Sequence, residues 1–221
     1  MRSLAILCAA SVLLVGGQVL AAPSSYVAWT AETVRLVKAG DSTKGEQLGY
    51  GCVACHGEAG LSVSPAFPHI AGQDPLYLFK QLRDYKDKTR INPQMNGIVA
   101  SLTDQDMADI AAYYAAQPAP AAESSGGDTA LAMDLITKGH GSRMVPSCEG
   151  CHGHQGAGQP GYYGIPVLGG QKSIYLQITL REYRAGNRAN DVYSVMRDIA
   201  KSLTEDEITA LGNYYAAQQL R

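Results

Sequence analysis

Several features are scarce in this sequence, and each scarcity narrows what the chain can be. No apolar run reaches the roughly 20 residues that a membrane-spanning helix requires; the nearest candidate, Leu4 to Val15, is broken at Gly16-Gly17. No stretch alternates polar and apolar residues for long enough to predict a sheet. Basic residues are not in excess, with 18 Lys and Arg against 20 Asp and Glu. They are interspersed with acidic ones, as on an ordinary solvated surface, which argues against nucleic acid as a partner. Cysteine is almost confined to two short motifs: one lies at Cys8, and the others form Cys52-Val53-Ala54-Cys55 and Cys148-Glu149-Gly150-Cys151. Pairs spaced so closely do not read as a disulfide framework.

The N-terminus runs from Met1-Arg2-Ser3 through the apolar stretch to Val19-Leu20-Ala21. That is the order of a basic region, an apolar region and a small-residue cleavage site. Residues 1–21 are therefore expected to be a signal peptide, removed together with Cys8, and the mature chain is expected in the periplasm.

What remains is one unit written twice. A stretch without large apolar side chains, residues 118–127, reads as a linker. It separates an expected first domain, 41–117, from a second, 128–221, with 22–40 as an N-terminal extension. Phe67-Pro68-His69-Ile70-Ala71-Gly72-Gln73 is echoed by Ile165-Pro166-Val167-Leu168-Gly169-Gly170-Gln171. Leu102-Thr103-Asp104-Gln105-Asp106-Met107 is echoed by Leu203-Thr204-Glu205-Asp206-Glu207-Ile208. Thr103 with Asp106, and Thr204 with Glu207, place a hydroxyl cap three residues ahead of an acid, which predicts a helix start. Asp74-Pro75 predicts another, carrying Leu78, Phe79, Leu82 and Tyr85 on one face, with its counterpart from about Ser173 to Ala185. Trp29 and Val34 are spaced for a hydrophobic staple on a short extra helix that Gly40 ends. The expected fold class is all-α, two small helical domains in tandem. Cores of that size are marginal when built of side chains alone.

Each cysteine pair is followed directly by a histidine, His56 and His152. Two thiols two residues apart can add to the vinyl groups of one porphyrin, with the next residue as proximal iron ligand. Cys52, Cys55, Cys148 and Cys151 are thus expected to carry two covalently bound haem c groups, with His56 and His152 on the irons. A zinc ribbon would set its cysteine pairs about 15–20 residues apart, whereas a whole domain separates these two. Alignment of the halves selects Met95 and Met196 as sixth ligands, since each stands seven residues before its Leu-Thr pair. A haem iron closed by His and Met exchanges electrons and binds no substrate. Pro68 and Pro166 follow the two histidines at similar separation, placed for their carbonyls to accept the imidazole Nδ1 protons. His69, His140 and His154 have no counterparts and are expected in loops or at the surface; Lys80, Arg83, Lys86, Lys88 and Arg90 could form a docking surface or lie near haem propionates, but are expected on a solvated helix face.

The ordered set of two CxxCH motifs, the Pro-x-x-Ala/Gly-Gly-Gln segments, the helices beginning at Tyr77 and Tyr175, the run Arg184-Ala185-Gly186-Asn187-Arg188 and the Met-to-Leu-Thr spacing resembles the cytochrome c4 family. The similarity spans nearly all of the chain from about Lys44. It implies two tandem class I cytochrome c domains packed so that electrons pass between haems. It also implies redox proteins as partners, a donor complex or dehydrogenase and a terminal oxidase, for a carrier that diffuses or associates loosely with the membrane and is not an enzyme. A cytochrome subunit of a periplasmic dehydrogenase is the alternative on the same plan. The longer N-terminal segment with Trp29 departs from the family pattern.

Overall fold

The computed structural model describes residues 24–124 and 129–220. The expected signal peptide and the last residues of the expected linker lie outside the described residues. Among those described there is no β-strand, only an isolated antiparallel bridge between His140 and Val145.

The first half folds as α1 (Ala31–Lys38), α2 (Ser42–Leu48), α3 (Val53–His56), α4 (Pro75–Lys86), α5 (Pro93–Val99) and α6 (Asp104–Ala115). The second repeats the order as α7 (Ala130–Thr137), α8 (Glu149–His152), α9 (Ser173–Ala185), α10 (Val195–Lys201) and α11 (Glu205–Ala216). In each half the last helix is the hub. The helix before the CxxCH motif and the long middle helix both pack on it, and the methionine helix leans on the middle one. Helix α1 has no counterpart and packs on α4 and α6.

Local chemistry sets the boundaries. Both expected capping boxes form: Thr103 accepts from Asp106 N–H and Asp106 from Thr103 N–H, as Thr204 and Glu207 do in the second half. Asp74 caps α4 by accepting from Tyr77 N–H at 2.7 Å, with Pro75 at the position that needs no donor. Thr30 caps α1 by accepting from Thr33 N–H, which places Trp29 and Val34 at the two positions of a staple.

Each domain closes on its own apolar cluster. Met107, Ala108 and Ala111 are fully buried in the first with Tyr114, Phe79 and Leu76; Ile208, Ile136 and Ala132 are fully buried in the second with Leu211 and Tyr215. At roughly 1.5–3 kcal/mol for each large apolar side chain taken out of water, these clusters favour the packing of the hub helices. Cys52 lies at the edge of the first cluster and Cys148 at the edge of the second. Helices α2 and α6 touch at Gly45: a β-carbon there would stand 1.9 Å from Asp109 O, so only glycine permits the crossing.

Candidate haem sites and the domain interface

The CxxCH segments form the short helices α3 and α8, which bring the histidine of each motif beneath the edge of its core. His56 Nδ1 lies 3.0 Å from Pro68 O, and His152 Nδ1 lies 2.9 Å from Pro166 O. A carbonyl only accepts, so Nδ1 carries the proton in both rings and donates, leaving each Nε2 lone pair free to bind a metal. Burial pushes both imidazoles below the usual histidine range, opposed by the same proline carbonyls; both rings are therefore neutral near pH 7, the form that ligates iron. Phe67 packs edge-on against His56, centroids 6.4 Å apart.

The four thiols are unpaired. Burial raises the pKa of Cys52 and pushes Cys148 up to about 11, the opposite of the acidified thiol of a dithiol redox centre. Among the described residues no three His, Cys, Asp or Glu side chains gather as a metal cage, as zinc in a ribbon would need. Large apolar side chains stand open next to the first motif, at Tyr50 and Val53, and next in sequence to the two methionines, at Ile91 and Ile98 for Met95 and at Val192 and Val195 for Met196. Paired thiols, a directed imidazole and an uncovered apolar rim fit a porphyrin with two thioether links.

Met95 lies in the first turn of α5, its N–H held by the Asn92 side chain at 3.1 Å; Met196 is the second residue of α10. Both side chains are half-buried. Met107 is wholly buried packing, whereas Met144 is exposed on a left-handed residue.

The domains meet across a pseudo-symmetric interface that periodicity did not reveal. Gln73 of the first donates to Val167 O at 2.9 Å and accepts from Val167 N–H at 2.7 Å. Gln171 of the second donates to His69 O at 2.8 Å and accepts from His69 N–H at 2.9 Å. Beside them Lys80 pairs with Asp84 and donates to Asn190 O at 2.6 Å, while Asn190 donates to Asp84 and Gln81. Arg90 donates to Gln81 and to the Tyr175 hydroxyl; Arg188 donates to Gln81, Asn190 and the Tyr77 hydroxyl. Each guanidinium also covers a tyrosine ring of its own domain, Tyr85 and Tyr183, at 4.6 Å. Among the described residues neither arginine pairs with a carboxylate.

Two expectations are corrected here. His69 lies in a loop, as one arm of the expectation has it, but not at the surface: it is 8% exposed, its backbone pinned at the interface by Gln171. Lys80 and Arg90 are not on a solvated face: Tyr77, Lys80, Gln81 and Asp84 follow i, i+3, i+4, i+7 and form a second buried stripe on α4, covered by the other domain. His154 and His140 are exposed as expected. The extension also crosses the boundary. Trp29 packs edge-on against Tyr163 of the second domain, centroids 6.3 Å apart, over Gly164, while Ser25 ties the extension to the first domain by donating to Asp84 at 2.6 Å.

Two helical domains, each with a CxxCH histidine oriented through a proline carbonyl, define a c-type cytochrome with two covalently bound haem c groups. The Cytochrome c family model matches residues 42–116 and again 140–216. Cytochrome c4 of Pseudomonas aeruginosa is 39% identical over 177 residues, covering 80% of this chain and 88% of that protein. The crystal structure of reduced recombinant cytochrome c4 from Pseudomonas stutzeri superposes with a TM-score of 0.76 at 37% identity, covering 82% of this chain and all of that one. A thiosulfate dehydrogenase electron acceptor of Stutzerimonas stutzeri is 37% identical over 169 residues, covering 75% of this chain and 77% of that protein. This chain belongs to the cytochrome c4 family.

Proposed function

We propose that this dihaem electron carrier works in the periplasm, after removal of residues 1–21, with His56 and Met95 on one iron and His152 and Met196 on the other. Haem iron, when bound, supplies a centre that takes and gives single electrons. The observation that carries the reading is the matched pair of Nδ1-to-proline-carbonyl hydrogen bonds. Each fixes one tautomer and leaves one Nε2 free to hold iron, and would strengthen that nitrogen as a donor. Cys52, Cys55, Cys148 and Cys151 would hold the haem edges; Arg90 and Arg188, cationic and paired with no carboxylate among the described residues, would suit haem carboxylates. Met95 and Met196 would supply the further, sulfur ligands, which would raise the potential and keep substrate off the metal. The carrier thus accepts electrons from a respiratory or dehydrogenase donor and passes them to a terminal oxidase or similar acceptor.

Potentiometric titration of the holoprotein, read optically, tests this. The expected result is two high-potential one-electron steps with Met-to-iron charge transfer from both ferric haems; Met95→Ala removes that absorption from one haem and Met196→Ala from the other. A low-potential step in the wild-type chain, or absorption that survives both substitutions, overturns the ligand assignment.

A second reading, the cytochrome subunit of a periplasmic dehydrogenase, is favoured by the likeness to the thiosulfate dehydrogenase electron acceptor. Stoichiometric co-purification of a catalytic partner supports it, and a free monomer that turns over with several donors counts against it.

A further inference from the structure

The peptide unit between Pro68 and His69 is engaged on both sides. Its carbonyl accepts the Nδ1 proton of His56 at 3.0 Å, and its N–H donates to Gln171 Oε1, from the other domain, at 2.9 Å. The peptide unit between Pro166 and Val167 does the same: its carbonyl accepts from His152 at 2.9 Å and its N–H donates to Gln73 Oε1 at 2.7 Å. The glutamines are buried, 8% and 7% exposed, and each is fixed at both ends of its amide. Gln73 Oε1 also accepts from Asp74 N–H, and Gln171 Oε1 from Lys172 N–H, both within their own domain.

A peptide group is one conjugated unit, and hydrogen bonds in series polarise one another. When its N–H donates, electron density moves to its oxygen, which then draws the imidazole Nδ1 proton more strongly. That makes the ring a stronger donor at Nε2 and favours the oxidised iron. We infer that Gln73 and Gln171 are positioning residues that act crosswise: each domain sets the potential of the other domain's haem through the peptide that its glutamine holds. Domain contact and haem potential are then coupled without any change of iron ligand. A partner that loosens the interface raises both potentials together.

This inference rests on His56 and His152 ligating haem iron. The test is a pair of substitutions of similar volume, Gln171→Leu and Gln73→Leu, in the full-length holoprotein, with the two redox steps assigned to their haems by the Met95→Ala and Met196→Ala variants. Gln171→Leu is expected to shift the first domain's haem upward more than the second's, and Gln73→Leu the reverse. In the diamagnetic ferrous protein, the Nδ1 proton resonance of His56 should move upfield in Gln171→Leu but not in Gln73→Leu, and that of His152 the other way round. Asn at either position, too short to reach across, should reproduce the Leu shift if the Leu variant folds poorly. Shifts confined to the substituted domain's own haem, equal shifts in both haems, or none, overturn the inference. Wild-type protein in which no proximal histidine Nδ1 resonance appears overturns instead the ligation on which it rests.

Discussion

Arg188 in the second domain donates to the Tyr77 hydroxyl of the first at 3.1 Å, and Arg90 in the first donates to Tyr175 in the second at 3.2 Å. The two contacts are the same contact made twice, once in each direction across the boundary. A buried guanidinium needs every donor satisfied and a counter-charge to be stable. Here Arg188 Nε and Nη2, and both Arg90 Nη atoms, are met by neutral oxygens.

Replacing Arg188 with Met should therefore act on two quantities. Stability should fall by about 2–4 kcal/mol, since Tyr77, Gln81 and Asn190 lose a charged partner. The potential of an adjacent haem should also fall, because a nearby positive charge favours the reduced iron. Urea unfolding followed by optical titration measures both; a potential unchanged or raised would show that the charge does not act on the haem.

His69 gives the fold a pH dependence. Burial, then the charge of Lys172, depress its pKa from 6.5 to about 4, with Glu123 opposing. The unfolded chain takes up a proton near pH 6.5, whereas the folded one resists until about 4. This contribution to stability is therefore complete above pH 6.5 and is lost as pH falls to 4. The loss is about 1–2 kcal/mol after allowance for screening. The Nδ1 atom has no hydrogen-bond partner among the described residues, so His69→Leu should flatten the pH profile over that range without lowering stability at pH 7. An unaltered slope in the variant would place the titrating group elsewhere.

Trp29 is the single tryptophan of the chain. Because it is half-buried against Tyr163 and Gly164 of the other domain, Trp29→Ala should cost about 2 kcal/mol, below the 3–5 of a fully buried aromatic. It should also raise proteolytic cleavage at the domain boundary. A companion substitution, Gly164→Ala, would set a β-carbon 2.7 Å from the Trp29 ring at a φ of +72°. It should red-shift the indole emission by displacing the ring. Emission and cleavage both at wild-type values in the two variants would mean that the extension does not clasp the domains.

Gly45 offers a test confined to the first domain. Gly45→Ala forces α2 away from Asp109, whose carboxylate also accepts from Asp41 N–H at 2.8 Å. A loss of about 1–3 kcal/mol should lower the first domain's Tm by several degrees and leave the second's in place. Calorimetry that shows both domains shifting together would reveal one cooperative unit instead of two.

Much of the fold was legible because it depends on neighbours in sequence. Caps at Thr103, Thr204 and Asp74 are decided within three residues, and the CxxCH chemistry within five. The interface was harder to read for a physical reason. Helix α4 has an apolar stripe and a polar one, and a polar stripe ordinarily faces water; nothing local says that Lys80 finds Asp84 beneath a second domain. The glutamines were visible as a repeated feature, yet their bonds run across a separation that no periodicity encodes. His69 looked superficial because its counterpart, Val167, is apolar; what the two positions share is the backbone, which each glutamine grips without regard to side chain.

That indifference to side chain has a consequence for assembly. Gln73 contacts the backbone ahead of Gln171, and Gln171 the backbone ahead of Gln73, so the surface is self-complementary, like that of a twofold homodimer. A single half therefore holds both members of the contact and is equipped to pair with a second copy of itself. Joining the halves in one chain turns that pairing from a concentration-dependent encounter into an intramolecular one, so the domain-to-domain arrangement persists however dilute the protein becomes.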